Sequence, residues 1–121
     1  MKKYLALIFM VLILFVCVST AFAEVVASGD CGKYGDNLKW DITKDGEKVV
    51  LTIRKNGASG EMEDFRLAPW KEYSFGDVVI EPGVETVGSW AFTENQNIGR
   101  IVLPDSLSSI GSYAFAGCER L

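Results

Sequence analysis

Val84-Glu85-Thr86-Val87-Gly88-Ser89-Trp90-Ala91-Phe92 and Leu107-Ser108-Ser109-Ile110-Gly111-Ser112-Tyr113-Ala114-Phe115 are one pattern written twice. Apolar stands over apolar, Gly88 over Gly111, Ser89 over Ser112, Trp90 over Tyr113, and Ala91-Phe92 over Ala114-Phe115. The offset is 23 residues, and it extends in both directions. Phe75, Ile98 and Leu121 form one ladder, Val78 and Ile101 a second, Ile80 and Leu103 a third. Repetition at a fixed period in the twenties marks a solenoid, in which each repeat is one short strand and a return. Such a chain presents repeated positions on a continuous surface, so recognition rather than catalysis is the expected use.

The segments Asp77-Val78-Val79-Ile80 and Arg100-Ile101-Val102-Leu103 are the expected strands. Side chains alternate along a strand, so Val78, Ile80, Ile101 and Leu103 face inward. Asp77, Val79, Arg100 and Val102 then face the open side of the sheet, and these four are the candidate binding face. Lateral neighbours on adjacent strands lie ~5 Å apart. Asp77 is therefore expected to pair with Arg100, an exposed contact worth at most ~1 kcal/mol. Val79 beside Val102 leaves apolar groups on the same face, although valine suits any strand. Pro82 and Pro104 follow the strands and turn the chain away. Gly88 and Gly111 mark places where the backbone either takes a positive φ or passes close to its neighbour. Residues 89–93 and 112–116 are each short enough for one helical turn. Trp90 and Tyr113 are read as core or wedge residues rather than as ligand platforms.

Upstream, Leu38, Trp40 and Ile42 alternate with Lys39, Asp41 and Thr43, and Val49, Leu51 and Ile53 alternate with Val50, Thr52 and Arg54. Period two argues for strands, and the Asp45-Gly46 step between them is a strong hairpin signal. Residues 37–54 thus read as a β-hairpin whose apolar face must cover something, the nearest candidate being the first repeat. Residues 24–29 form a poorly patterned lead-in. Residues 61–65 suit a short helical turn, ended by Ala68-Pro69. Trp70 is expected to plug the junction of hairpin and solenoid, burying ~200 Å² and finding a partner for its N–H.

The first residues read as a targeting segment rather than as fold. Lys2 and Lys3 precede an uncharged apolar run, and Ala21-Phe22-Ala23 supplies a small-x-small site ahead of Glu24. This is the pattern of a secretory signal peptide cut between Ala23 and Glu24. The competing reading is an uncleaved anchor, since the run is long enough to span a bilayer. Cleavage removes 23 of the 121 residues, leaving 98, enough for one small domain. It also removes Lys2 and Lys3 from the 12 basic residues, so 10 face 16 acidic ones, a net charge of −6. An acidic surface argues against nucleic acid and against anionic membrane as partners. Cys31 and Cys118 survive processing. An even pair in an exported protein invites a disulfide. The two lie 87 residues apart, however, and Cys118 holds an inward repeat position where a small apolar residue suits the core; the pairing stays open.

The chain has no histidine, which removes Ser-His-Asp and Cys-His catalysis and the usual zinc sites. Gly57-Ala58-Ser59-Gly60 is too short for a phosphate loop and lacks its lysine. Glu61, Glu63, Asp64 and Glu72 read as solvated loop charges, with nothing to fix the spacing of a catalytic carboxylate pair. Asp45-Gly46-Glu47 lacks the ligand spacing of a calcium loop. No catalytic residue, metal site or cofactor is implied.

The repeat itself resembles the bacterial BspA-like leucine-rich repeat. Ile110-Gly111-Ser112-Tyr113-Ala114-Phe115-Ala116-Gly117-Cys118-Glu119-Arg120-Leu121 fits the pattern Ile-Gly-x-x-Ala-Phe-x-x-Cys-x-x-Leu without a gap. The stretch from Val87 to Ile98 fits with Glu94-Asn95 in place of Gly-Cys, and Ile101-Val102-Leu103-Pro104 supplies the strand-and-proline half. Ser28-Gly29-Asp30-Cys31-Gly32, Asn37-Leu38-Lys39-Trp40 and Ala68-Pro69-Trp70 are similar to what precedes such repeats. The resemblance implies a leucine-rich repeat solenoid, mainly β with short helical turns. Residues 1–23 are then a signal peptide, 24–74 an N-terminal hairpin cap, and 75–121 about two repeats without a C-terminal cap. It implies a secreted or cell-surface bacterial protein that binds a protein or glycan through its strand face, without membrane contact after cleavage. It brings no catalytic residues. The expected alternative is a truncated structural fragment of a longer surface protein, since solenoids need about three repeats and a cap.

Overall fold

The computed structural model describes residues 23–121, so the expected signal segment lies outside the described residues apart from Ala23, which is exposed. Seven strands follow in order: β1 (Glu24–Gly32), β2 (Gly35–Asp45), β3 (Lys48–Lys55), β4 (Asp77–Ile80), β5 (Thr86–Val87), β6 (Arg100–Val102) and β7 (Ser109–Ile110). Five of them form one sheet in the order β1-β2-β3-β4-β6, and β5 and β7 form a second, two-stranded sheet.

The hairpin forms where Asp45-Gly46 placed it. Asp45 pairs with Lys48 across a two-residue turn, and Gly46 has φ 63°, which glycine adopts without the Cβ penalty. Its apolar face, however, does not lie over the first repeat. Strand β3 instead joins β4 edge to edge in parallel, with Leu51 opposite Val78 and Ile53 opposite Ile80. Val78 is in turn opposite Ile101. The inward rows Ile42–Leu51–Val78–Ile101 and Trp40–Ile53–Ile80 therefore belong to one sheet. Edge pairing satisfies the free N–H and C=O row of β4, which a face-on cap would leave exposed.

The lead-in at 24–29 is strand β1, paired antiparallel with β2. Its alternation is hidden in the sequence by bulges between Val25 and Ala27 and between Asp30 and Gly32. A bulge inserts one residue and breaks period two locally. Residues 61–65 are extended rather than helical. Lys33 N–H donates to the Glu61 carbonyl, Glu63 N–H to Cys31, and Phe65 N–H to Ser89, so these amides are committed to neighbouring segments. Asn37, buried, donates through Nδ2 to the carbonyls of Ser59 and Glu61 (3.1 and 2.8 Å) and pins the loop that brings them there.

The described residues contain no helix. In the expected helical turns, alternate amides point in different directions. Ala91, Thr93 and Asn95 donate locally to the carbonyls of Gly88, Trp90 and Phe92. Trp90, Phe92 and Glu94 donate instead to Ser112, Ala114 and Ala116 of the next coil. A helix needs every amide for its own ladder, so inter-coil bonding excludes it.

The core is an aromatic and aliphatic column. Trp70 is fully buried, packs edge-on against Trp40 of β2 (ring centroids 5.9 Å) and Phe65 (5.4 Å), and stacks on Phe92 (5.3 Å). Phe92 then stacks on Phe115 at 5.2 Å. The Trp70 indole N–H donates to the Ala91 carbonyl at 2.8 Å, so this side chain ties the hairpin to the coils as its position suggested. Cys31 and Cys118 are both free thiols. Cys31 is fully buried, and that burial, followed by the nearby Asp30 and Glu63 carboxylates, pushes its thiol up from 9.0 to about 12. The Cys118 thiol is also raised by desolvation but is only partly covered. The thiolate is the nucleophile. Iodoacetamide at pH 8, read by peptide mass mapping, is therefore expected to modify Cys118 at least tenfold faster than Cys31.

Candidate binding face

The expected face is the side of the five-stranded sheet away from the core. Asp77 stands opposite Arg100 and Val79 opposite Val102, in the register read from the repeat. Val79 is half-buried and Val102 is 39% exposed. The expected ion pair is not formed. Asp77 Oδ2 instead lies 3.8 Å from Lys48 Nζ on β3, and Arg100 joins no ion pair among the described residues. Lys48 lies beside the lower end of β4, and its ammonium reaches Asp77 along the face.

The face is wider than the four residues suggest. Because β3 continues the parallel ladder, the row of Val102 and Val79 runs on through Thr52, Asp41 and Ser28. The row of Arg100 and Asp77 runs on through Val50, Thr43 and Val25. Its solenoid half alternates the valines Val79 and Val102 with the charged Asp77 and Arg100. Its hairpin half carries charge: Arg54 is ion-paired with Asp41, and Lys39 Nζ is 2.7 Å from Asp30 Oδ1. The hairpin positions were missed because the hairpin was read as a cover. Outward alternation in β2 and β3 would have found them, had β3 been placed beside β4.

Trp90 and Tyr113 are not core residues. They are 46% and 63% exposed and stack on each other, with ring centroids 4.6 Å apart and planes at 20°. The adjacent alanines explain this. Ala91 and Ala114 are buried, and Ala68 holds the same place one coil earlier, so the residue before each must point out.

The carboxylates weighed as a catalytic pair are dispersed in role. Glu61 pairs with Lys33 at 3.4 Å, while Asp64 Oδ1 accepts the Ser89 amide at 2.7 Å. Among the described residues no three His, Cys, Asp or Glu side chains come together to hold a metal ion. What the geometry supplies is an open strip of side chains carried in register from strand to strand.

Stacked coils, each giving one strand to a parallel sheet whose outer face stays open, define a repeat scaffold of the leucine-rich type. Residues 70–121 match the family described as the BspA type leucine-rich repeat region, so this part of the chain is a leucine-rich repeat region of that type. A crystal structure of a leucine-rich repeat protein from Eubacterium ventriosum is similar, with 28% sequence identity and a TM-score of 0.60 over 75% of this chain. The match spans 24% of that protein's chain. No curated protein matches the chain.

Proposed function

We propose that this protein is an exported, non-catalytic binding module that takes a protein or glycan of a cell surface on its open sheet face. One observation carries the reading: rows of outward side chains continue in register across all five strands, from Ser28 to Val102. The signal-like residues up to Ala23 support export, and the family supports a repeat-based binding role. The partner would meet valines and threonines interspersed with charged side chains along the face. Apolar centres flanked by polar groups suit a protein contact.

The test is the Val79→Glu, Val102→Glu double variant, with binding to bacterial and host-cell surface preparations measured beside the parent. At least a tenfold loss of binding is expected, with an unchanged circular dichroism spectrum, since both side chains lie outside the core, Val79 half-buried and Val102 exposed. Equal binding by the double variant, or no binding by the parent to either surface, sinks the proposal.

A second reading, that this stretch works only within a longer stack, is favoured by the outermost described coil. Leu103 and Ile110 are each 47% exposed, whereas Ile80 and Val87, one coil earlier, are each 1% exposed. Appending one further 23-residue coil after Leu121 is expected to raise Tm by about 10 °C, because burying each such side chain contributes roughly 1–2 kcal/mol. An unchanged Tm counts against this reading.

A further inference from the structure

Leu67, Trp90 and Tyr113 follow one another at the 23-residue spacing and form an exposed ridge on the return side of the coils. Trp40 and Trp70 are buried, so Trp90 alone among the tryptophans presents its indole to solvent. Its backbone is left-handed, with φ 64°, and so is that of Tyr113, with φ 57°. For a bulky side chain this conformation costs roughly 1–2 kcal/mol, and asparagine or glycine adopts it more easily. Bonds from the Trp90 and Phe92 amides to Ser112 and Ala114 hold the turn in place. Strain held by its surroundings is a pointer to function when a usable group sits on it.

The group here is a flat wall. Tyr113 stacks on Trp90 and fixes the plane of its ring. On the side of the preceding coil, Trp90 lines a depression with Arg66, Leu67, Ala68, Lys71 and Glu94. Lys71 is occupied, its Nζ donating to the Thr93 carbonyl across the depression. Arg66 and Glu94 make no side-chain ion pair or hydrogen bond among the described residues, which leaves one guanidinium donor and one carboxylate acceptor beside the ring. We propose that this depression is a carbohydrate subsite that takes one pyranose ring of a neutral oligosaccharide. The electron-rich indole face attracts the positively polarised C–H face of a sugar. Vicinal hydroxyls both donate and accept, so Glu94 and Arg66 satisfy them together. The ring takes an uncharged C–H face, and the Glu94 carboxylate beside it opposes an anionic ligand, which favours a neutral sugar. The site is separate from the open sheet face and does not depend on it.

The experiment titrates the whole protein with maltotetraose, cellotetraose, mannotetraose and chitotetraose, following tryptophan emission and heat release. At least one sugar is expected to give a saturable emission change, since Trp90 is the exposed indole. Trp90→Asn removes the wall while suiting the left-handed backbone, so it is expected to fold, with Tm equal to or above the parent, and to weaken binding at least tenfold. The Val79→Glu, Val102→Glu variant is expected to bind the sugar as the parent does. Four silent titrations overturn the subsite, as does sugar binding that survives Trp90→Asn. Sugar binding lost in the double valine variant but kept in Trp90→Asn moves the sugar to the sheet face and overturns it equally.

Discussion

Replacing Trp70 by alanine is expected to lower stability by about 3–5 kcal/mol, the range for emptying a large aromatic site in a core. The side chain is fully buried and meets three aromatic partners, Trp40, Phe65 and Phe92. Its removal opens a cavity where the hairpin, the extended 61–65 segment and the first repeat meet. It also orphans the Ala91 carbonyl, which now accepts the indole N–H at 2.8 Å, and an unsatisfied buried acceptor costs a further ~1–3 kcal/mol. Small domains have only about 5–15 kcal/mol in total, so the variant is expected to be largely unfolded at 37 °C by circular dichroism. Two milder variants separate the contributions. Trp70→Phe keeps a ring in the column but loses the N–H, and is expected to retain a cooperative urea transition at a lower midpoint. Trp40→Phe removes an indole N–H that is buried without a partner, so no hydrogen bond is lost with it. The ordering Trp70→Ala, then Trp70→Phe, then Trp40→Phe, from most to least destabilising, checks the assignment. A cooperative Trp70→Ala transition near the parent midpoint would refute it.

The repeat was legible because a solenoid asks the same side chain to do the same thing once per coil. Ala91 and Ala114 are both buried, Phe92 and Phe115 stack, and β4 and β6 pair at the offset the sequence shows. The coil below them was not legible. From β3 to β4 the strand offset is 27 residues, since Val50 lies opposite Asp77. Part of the extra length is taken up in the loop around Asn56-Gly57-Ala58-Ser59-Gly60, and the rest beyond Asp64: Gly60 bonds Glu85 and Asp64 bonds Ser89, each still 25 residues on. A reader searching at a fixed 23 finds the alanine at 68 and loses the strand at 50. The left-handed turns were hidden for a different reason. Trp90, Glu94 and Tyr113 are not residues from which positive φ is inferred, yet each has it. Bonding between coils imposes that geometry, and sequence-local preference does not report it. Exposure of the Trp90–Tyr113 stack follows from the same turn, so a reading of these aromatics as wedge residues missed the surface they make. The candidate sheet face was found in part, because alternation in β4 and β6 is a local signal. Its extension over β3 and β2 depends on a long-range parallel pairing that no local signal records.

Gly88→Ala is the second large expected effect, and it decides between two readings the sequence left open. Neither Gly88 nor Gly111 has a positive φ, so backbone freedom is not why glycine stands there. A Cβ on Gly88 would lie 1.7 Å from the Glu63 carbonyl oxygen and 2.7 Å from the carbon that bears it. Main chain cannot rotate away as a side-chain tip can, so the two coils must part. Parting stretches the bonds that hold them, from the Phe65 amide to the Ser89 carbonyl and from the Ser89 amide to Asp64 Oδ1. Overpacking a tight site costs about 1–3 kcal/mol, and each strained bond adds roughly 1 kcal/mol, so a loss of about 3–5 kcal/mol is expected from urea denaturation. Gly111→Ala meets the Ser89 backbone at 2.3 Å, on the outermost described coil, where the chain has more room to shift, and is expected to cost less. Gly99 is the control, with open space at its Cβ position and no positive φ, so Gly99→Ala should be neutral or stabilising by about 0.5 kcal/mol through the unfolded chain. If Gly88→Ala matched Gly99→Ala, the coils would not be in backbone contact at that point. The inter-coil bonds on either side of Gly88 would then have to be longer than the geometry that excludes a helix there requires.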